Sequence, residues 1–130
     1  MARVSFDAGV LIGLDRGDTR AWAWMRRAVE RGEPPLVCAA AVTEAWRDGR
    51  RQARLAGALR ACDVEGVGEP LARAAGEALA HVRTTGAIDA LVTACAARAG
   101  ALLVTDDPDD IQALVDQHFR SVRTATLRSR

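Results

Sequence analysis

A chain of 130 residues, 49 % hydrophobic with a formal net charge of +1, is large enough to bury one core and is expected to form a single domain over residues 1–130. The balanced charge announces no nucleic acid through a whole-protein field; no apolar run approaches the ~18 to 20 residues that span a bilayer, and no leader opens the chain, so a cytoplasmic location is expected. All 18 basic residues are arginines, which removes the lysine of a P-loop, and Cys38, Cys62 and Cys95 lie in apolar segments without metal-ligand spacing, as free buried thiols would.

Val4 and Phe6 alternate with polar neighbours over Arg3–Phe6, predicting a first strand that runs directly into Asp7. Ala8–Leu14 reads as a short helix stopped by Asp15-Arg16-Gly17-Asp18, and Asp18 or Thr19 caps a second helix whose apolar face is Trp22, Met25, Ala28 and Val29. Trp22 and Trp24, two positions apart, cannot share that face, so one of them is expected to cover a partner, such as a second copy of the chain. Gly32 and Pro34-Pro35 end the helix, and Leu36–Ala40 forms a second strand feeding a helix that carries Glu44. Trp46 points away from Glu44, toward core or interface. The same helix is expected to continue through Arg47–Arg54 and Leu59 to a short strand, Cys62–Val64. Its arginines Arg47, Arg50, Arg51 and Arg54 are candidate phosphate contacts, set against the plainer role of a solvated face.

Pro70 starts the next helix, which buries Leu71, Ala75, Ala78, Leu79 and Val82 before Thr84-Thr85-Gly86 breaks it. His81 and His118 each read as isolated, with no partner at ligand spacing. Ile88, Leu91, Val92, Cys95, Ala96 and Ala99 give the following helix one buried face, Gly100 closes it, and Ala101–Val104 is a buried strand ending at Thr105. Asp106, Asp107, Asp109 and Asp110 follow. Ile111, Leu114 and Val115 mark a last short helix, Phe119–Thr124 a weak edge strand, and the arginine-rich tail is expected to fray.

Strands alternating with helices imply right-handed crossovers and a mainly parallel sheet with helices on both faces. Ligands bind such sheets outside the carboxyl ends of the strands, where strand order reverses. Asp7, Glu44, Asp106 and Asp107 follow three strand ends, and Asp89 starts a helix. Each alone is explained as a cap or a dipole partner. Together, with no matching histidine, cysteine or serine nucleophile, they predict one crevice of carboxylates. Two carboxylates ~4 Å apart repel by ~1 kcal/mol in water and ~4 kcal/mol at an effective dielectric near 20, so the set calls for a cation. All-oxygen ligation suits Mg²⁺ or Mn²⁺, and the chemistry such an ion supports is phosphodiester hydrolysis.

The succession FDAGVLIGLDRG, AAAVTEAWR, AIDALVTACAARAG and LLVTDDPDDI resembles a PIN domain, and most closely the VapC-type ribonuclease toxins of bacterial toxin–antitoxin pairs, over nearly the whole chain. The resemblance implies a three-layer α/β fold with a five-stranded sheet in the order 3-2-1-4-5, a homodimer, dependence on Mg²⁺ or Mn²⁺, cleavage of RNA, and inhibition by a VapB-like antitoxin. It assigns Asp7, Glu44, Asp89 and Asp107 to the catalytic, metal-binding quartet and Thr105 to a supporting position, with Asp106 and Asp110 as further ligand candidates. Ala8 and Gly9 depart from it where many members carry a hydroxyl or amide, and Asp106 adds an acid. Two alternatives are a PIN-like module that binds RNA or metal without turnover, and a small phosphatase-type hydrolase with an aspartyl nucleophile; the missing lysine weighs against the latter.

Overall fold

The structure, a computed structural model, describes residues 2–83 and 86–127; the expected helix break at Thr84 and Thr85 and the tail from Arg128 to Arg130 lie outside the described residues. In chain order the elements are β1 (Val4–Phe6), α1 (Ala8–Arg16), α2 (Thr19–Glu30), β2 (Leu36–Cys38), α3 (Ala39–Ala45), α4 (Ala53–Arg60), β3 (Asp63–Glu65), α5 (Glu69–His81), α6 (Ala87–Ala99), β4 (Leu102–Thr105), α7 (Pro108–Gln117) and β5 (Arg123–Thr126).

The five strands pair in the order β3-β2-β1-β4-β5, and every pairing is parallel. From β1 the chain first steps outward to β2 and β3, then returns across the sheet to β4 and β5. Right-handed crossovers in opposite directions put their helices on opposite faces. Accordingly α1 packs with α2, α3 and α4, while α6 packs with α5 and α7, and α3 also meets α6. The reversal falls between β1 and β4. Their register sets Phe6 beside Val104, and Phe6 also lies beside Val37, so the carboxyl ends of the three central strands are level. Covered on both faces, these strands are continuous apolar runs, and Phe6, Val37, Leu103 and Val104 are wholly buried. Ser5 interrupts the run: it is wholly buried in β1, and its hydroxyl has no hydrogen-bond partner among the described residues.

Helix ends follow local chemistry. The Asp18 carboxylate accepts hydrogen bonds from the Arg20 and Ala21 amides at the start of α2, and Gly17 (φ +75°) and Gly100 (φ +64°) close α1 and α6 in the left-handed conformation that side chains disfavour.

Several expectations are corrected. The helix bearing Glu44 does not continue through the arginine run. It ends at Ala45, residues 46–52 form a loop, and α4 begins at Ala53. Asp48 makes the turn, its carboxylate accepting from the Arg50 amide at 3.0 Å, and Gln52, only 7 % exposed, knots the loop. Gln52 Oε1 accepts from the Arg47 and Asp48 amides at 2.7 and 2.9 Å, and Nε2 donates to the Ala45 carbonyl at 2.9 Å and Asp15 Oδ2 at 3.3 Å. Helix α6 is not buried on one face: Ala90, Val92, Thr93, Ala94, Cys95 and Ala96 are all buried while Ala99 is exposed, because α6 packs against the sheet and against α3, α5 and α7. On α2, Ala21 takes the buried place expected of Val29, which is 55 % exposed. The last strand starts at Arg123 because Phe119 and Val122 are spent on turns after α7.

Trp22 and Trp24 are both half-buried within the chain: the Trp22 indole donates to the Leu14 carbonyl at 3.0 Å, and the Arg27 guanidinium lies 4.5 Å over the Trp24 ring. His81 and His118 are not isolated, since their Nδ1 atoms lie 3.2 Å apart. Among the described residues, no helix is long and apolar enough to cross a membrane.

Candidate functional site

Asp7 emerges from the central strand β1 and at once caps α1, its Oδ1 accepting from the Val10 amide at 3.1 Å; its own amide donates to the Val104 carbonyl at 3.2 Å, tying it to β4. It is 7 % exposed. Burial holds its carboxyl above the usual range, against the lowering effect of hydrogen bonds from Thr105 and the Val10 and Asp106 amides, and the nearby charge of Asp106 adds to the rise. Thr105, wholly buried at the end of β4, also accepts the Asp107 amide on its hydroxyl oxygen at 2.9 Å, so one side chain joins the first acid to the acidic loop.

Asp89 lies in the first turn of α6, and its carboxyl is pushed up to about 6, first by burial and then by the charges of Asp110, Glu44, Asp7 and Asp107. Asp107 occupies the N-cap position of α7 without a side-chain capping bond, and Asp110 stands in that helix's first turn. The Asp110 carboxyl is raised chiefly by the Asp107 charge, with partial desolvation and a hydrogen bond to Asp107 behind it. Glu44 is exposed near the end of α3.

These six acids, with Asp106 half-buried among them, line one cleft of about 350 Å³ at the carboxyl edge of the sheet, together with Ala8, Gly9, Ile12 and Arg47. Arg47 is the one basic side chain of the lining, held by Nη1 donating to the Thr43 and Trp46 carbonyls at 2.9 and 2.8 Å. The rest of the arginine run lies away from it. Arg50 and Arg51 sit 3.3 and 3.9 Å from the Asp48 carboxylate, and Arg54 donates to the Asp15 carbonyl. Asp109 is outside the lining.

Larger cavities exist elsewhere, of about 500 Å³ beside Trp24 and Arg123 and about 570 Å³ beside Pro34 and Cys62, but neither gathers acids from several elements. Among the described residues no three His, Cys, Asp or Glu side chains stand close enough to hold one metal ion, so ion binding at the cleft requires its side chains to draw together. The donor set itself fits a hard cation. It is all carboxylate oxygen, and the raised Asp89 and Asp110 record repulsion that a cation would relieve. Sequence reasoning missed Gln52 and Gly9; the Asp48-Gly49 turn signal announces the loop that Gln52 ties, whereas nothing local announces how closely Gly9 approaches its neighbour.

Solved structures share this fold along the whole chain. A toxin–antitoxin complex from Klebsiella pneumoniae matches with a TM-score of 0.73 at 18 % identity, covering 98 % of this chain and 99 % of that one. VapBC2 from Rickettsia felis, bound to a DNA fragment from its promoter, matches at 0.68 and 12 % identity, covering 95 % and 97 %, and FitAcB from Neisseria gonorrhoeae at 0.68 and 16 %, with the same coverage. No curated protein matches the chain in sequence. Residues 4–116 match the PIN domain profile, and with five parallel strands in the order 3-2-1-4-5 and an acidic cleft at the point of reversal, the chain belongs to the PIN domain family.

Proposed function

We propose that the protein is a Mg²⁺- or Mn²⁺-dependent endoribonuclease, a VapC-type toxin of a toxin–antitoxin pair, whose single 130-residue domain hydrolyses RNA phosphodiester bonds in the acidic cleft. PIN domains are typically nucleases that use divalent metals. The observation that carries the reading is the cleft itself, where acids that follow β1 and β4 and acids carried by α3, α6 and α7 line one space at the carboxyl edge of the sheet.

Asp7, Glu44, Asp89 and Asp107 would hold the cation, with Asp106 and Asp110 as lesser contributors. A bound ion supplies charge stabilisation at the scissile phosphate and a water of lowered pKa. Asp7 is aimed by the Val10 amide and Thr105, and Thr105 holds the backbone of Asp107 in the same grip. Arg47 on the cleft wall is placed to pair with a phosphate of the substrate. Arg50 and Arg51, 92 % and 88 % exposed on the adjoining loop, are left for flanking phosphates, and Arg54, exposed but donating to the Asp15 carbonyl away from the cleft, is the weakest candidate of the four. The same reading gives the toxin a VapB-like antitoxin, a second copy as homodimer partner and a cytoplasmic site of action; whole-chain likeness to toxin–antitoxin complexes supports it.

The test is cleavage of a labelled RNA panel with and without Mn²⁺, alongside calorimetric Mn²⁺ titration, for the wild type and for Asp7→Asn, Glu44→Gln, Asp89→Asn and Asp107→Asn. Each variant is expected to fold, to bind Mn²⁺ more weakly and to cleave at least about 10²-fold more slowly, the loss seen when a group stabilising transition-state charge is removed. Wild-type protein that binds RNA and leaves it intact in Mn²⁺ establishes the non-turnover module instead. Asp7→Asn cleaving at the wild-type rate overturns the assignment of the cleft.

A further inference from the structure

His81 and His118 are the chain's only two histidines, and folding brings them together across 37 positions of sequence. Their Nδ1 atoms lie 3.2 Å apart, with ring centroids at 5.2 Å and ring planes 28° apart. Phe119 packs its ring nearly perpendicular to His118, centroid to centroid at 4.7 Å, and holds that imidazole in place. His81 is the last residue of α5 and His118 the C-cap of α7. Both rings therefore sit at helix C-termini, whose partial negative charge favours a cation.

We propose that this pair is a second metal site, separate from the acidic cleft, which takes a borderline divalent ion of the Zn²⁺ class through both Nδ1 atoms, with water completing the shell. The bite matches: nitrogens ~2.0 to 2.1 Å from a tetrahedral Zn²⁺ are separated by about 3.3 Å. Before the ion binds, the gap suits a single proton, one Nδ1–H donating to the other ring's lone pair. Binding needs both lone pairs, so as the ion enters that proton leaves Nδ1 and the same ring takes one on Nε2 from solvent; the ring stays neutral and no net proton is released. Ligand type sorts the ions: imidazole suits zinc and copper, and carboxylates suit magnesium and manganese. The site is also distant from the acids. His118 and Asp107 flank the two ends of the ten-residue α7, roughly 15 Å apart at 1.5 Å per residue. Among the described residues no third protein ligand is in reach, so the site is open and its affinity is set by the two rings.

The experiment uses the full chain without a histidine tag, titrated with Zn²⁺ by calorimetry in excess Mg²⁺, for the wild type, His81→Gln, His118→Gln and Asp89→Asn, with circular dichroism to verify folding. The wild type and Asp89→Asn are expected to bind one equivalent. Either histidine variant is expected to bind at least about tenfold more weakly, the lower bound seen when a metal site loses a supporting group. Nitrogen-15 resonances of both Nδ1 atoms are expected to move as Zn²⁺ is added. Undiminished binding in a histidine variant, loss of binding in Asp89→Asn, or wild-type Nδ1 resonances that do not respond to Zn²⁺ each overturns the proposal.

Discussion

Gly9 and Asp106 stand so close that a methyl group on Gly9 would meet Asp106 Cβ at 2.5 Å and Asp7 Oδ1 at 3.4 Å. The first turn of α1 therefore rests directly on the loop that delivers Asp106 and Asp107. That contact gives a reason for glycine at this position: any side chain there would push the loop away from Asp7. Gly9→Ala is expected to destabilise by about 1 to 3 kcal/mol, the usual cost of forcing atoms into a packed place, even though alanine is the better helix former. Urea unfolding checks it, and a midpoint equal to or above wild type contradicts it. The same variant is expected to weaken Mn²⁺ binding at the cleft.

Asp89 makes the metal-free protein sensitive to pH. Burial and the neighbouring acids push its folded carboxyl up to about 6, above the ordinary aspartate value of 3.8, so protonation favours the fold. The stabilisation is absent well above pH 6, grows as pH falls through the folded value, and is complete below the unfolded one. Asp89 is half-exposed, which tempers the size of the effect. Expected in chelator is a higher Tm at pH 5 than at pH 7.5, with the rise reduced in Asp89→Asn. Equal pH dependence in the two proteins would show that Asp89 is not under this strain.

Gln52 holds the loop from which Arg47 reaches the cleft, through four hydrogen bonds. Gln52→Ala strips the Arg47 and Asp48 amides of their acceptor and the Ala45 carbonyl of its donor. Buried groups left unpaired cost about 1 to 3 kcal/mol each, and water reaching the half-exposed loop offsets part of this, so a loss of about 2 kcal/mol is expected. The readout is a lower urea midpoint with an unchanged m-value. RNA affinity is expected to fall in Gln52→Ala as in Arg47→Ala, while Arg54→Ala leaves it near wild type; equal affinity in Gln52→Ala and wild type would separate the loop from substrate binding.

Ser5 carries a hydroxyl into the middle of the sheet without a partner among the described residues. Ser5→Ala keeps the volume nearly constant and removes the desolvated polar atom, so stability is expected to rise by about 0.5 to 1.5 kcal/mol. Thermal melts decide this, and a destabilised variant would mean that the hydroxyl is bonded in solution.

What the sequence by itself determined was the alternation of strands and helices, apart from the division between α3 and α4, and the placing of acids at element ends. Apolar runs over β1, β2 and β4 are too short for helices, and an acid directly after β1 or β4 lands at the carboxyl edge whatever the details of packing. Boundaries failed where a side chain from elsewhere intervened. The arginines of residues 46–52 suit a helix, but the Asp48-Gly49 turn and the hydrogen bonds of Gln52 hold them as a loop, and the small residues Ala90 and Ala94 of α6 give no local sign of its packing against three helices. The order of the strands came from resemblance to a family, since periodicity carries no information about which strands are neighbours. Only the tertiary structure decided that Arg47 alone of its run reaches the cleft, that Gly9 touches Asp106, and that two histidines share one gap. Those are contacts between residues far apart in the chain, created by the crossover that brings β4 back beside β1, and no local pattern encodes them.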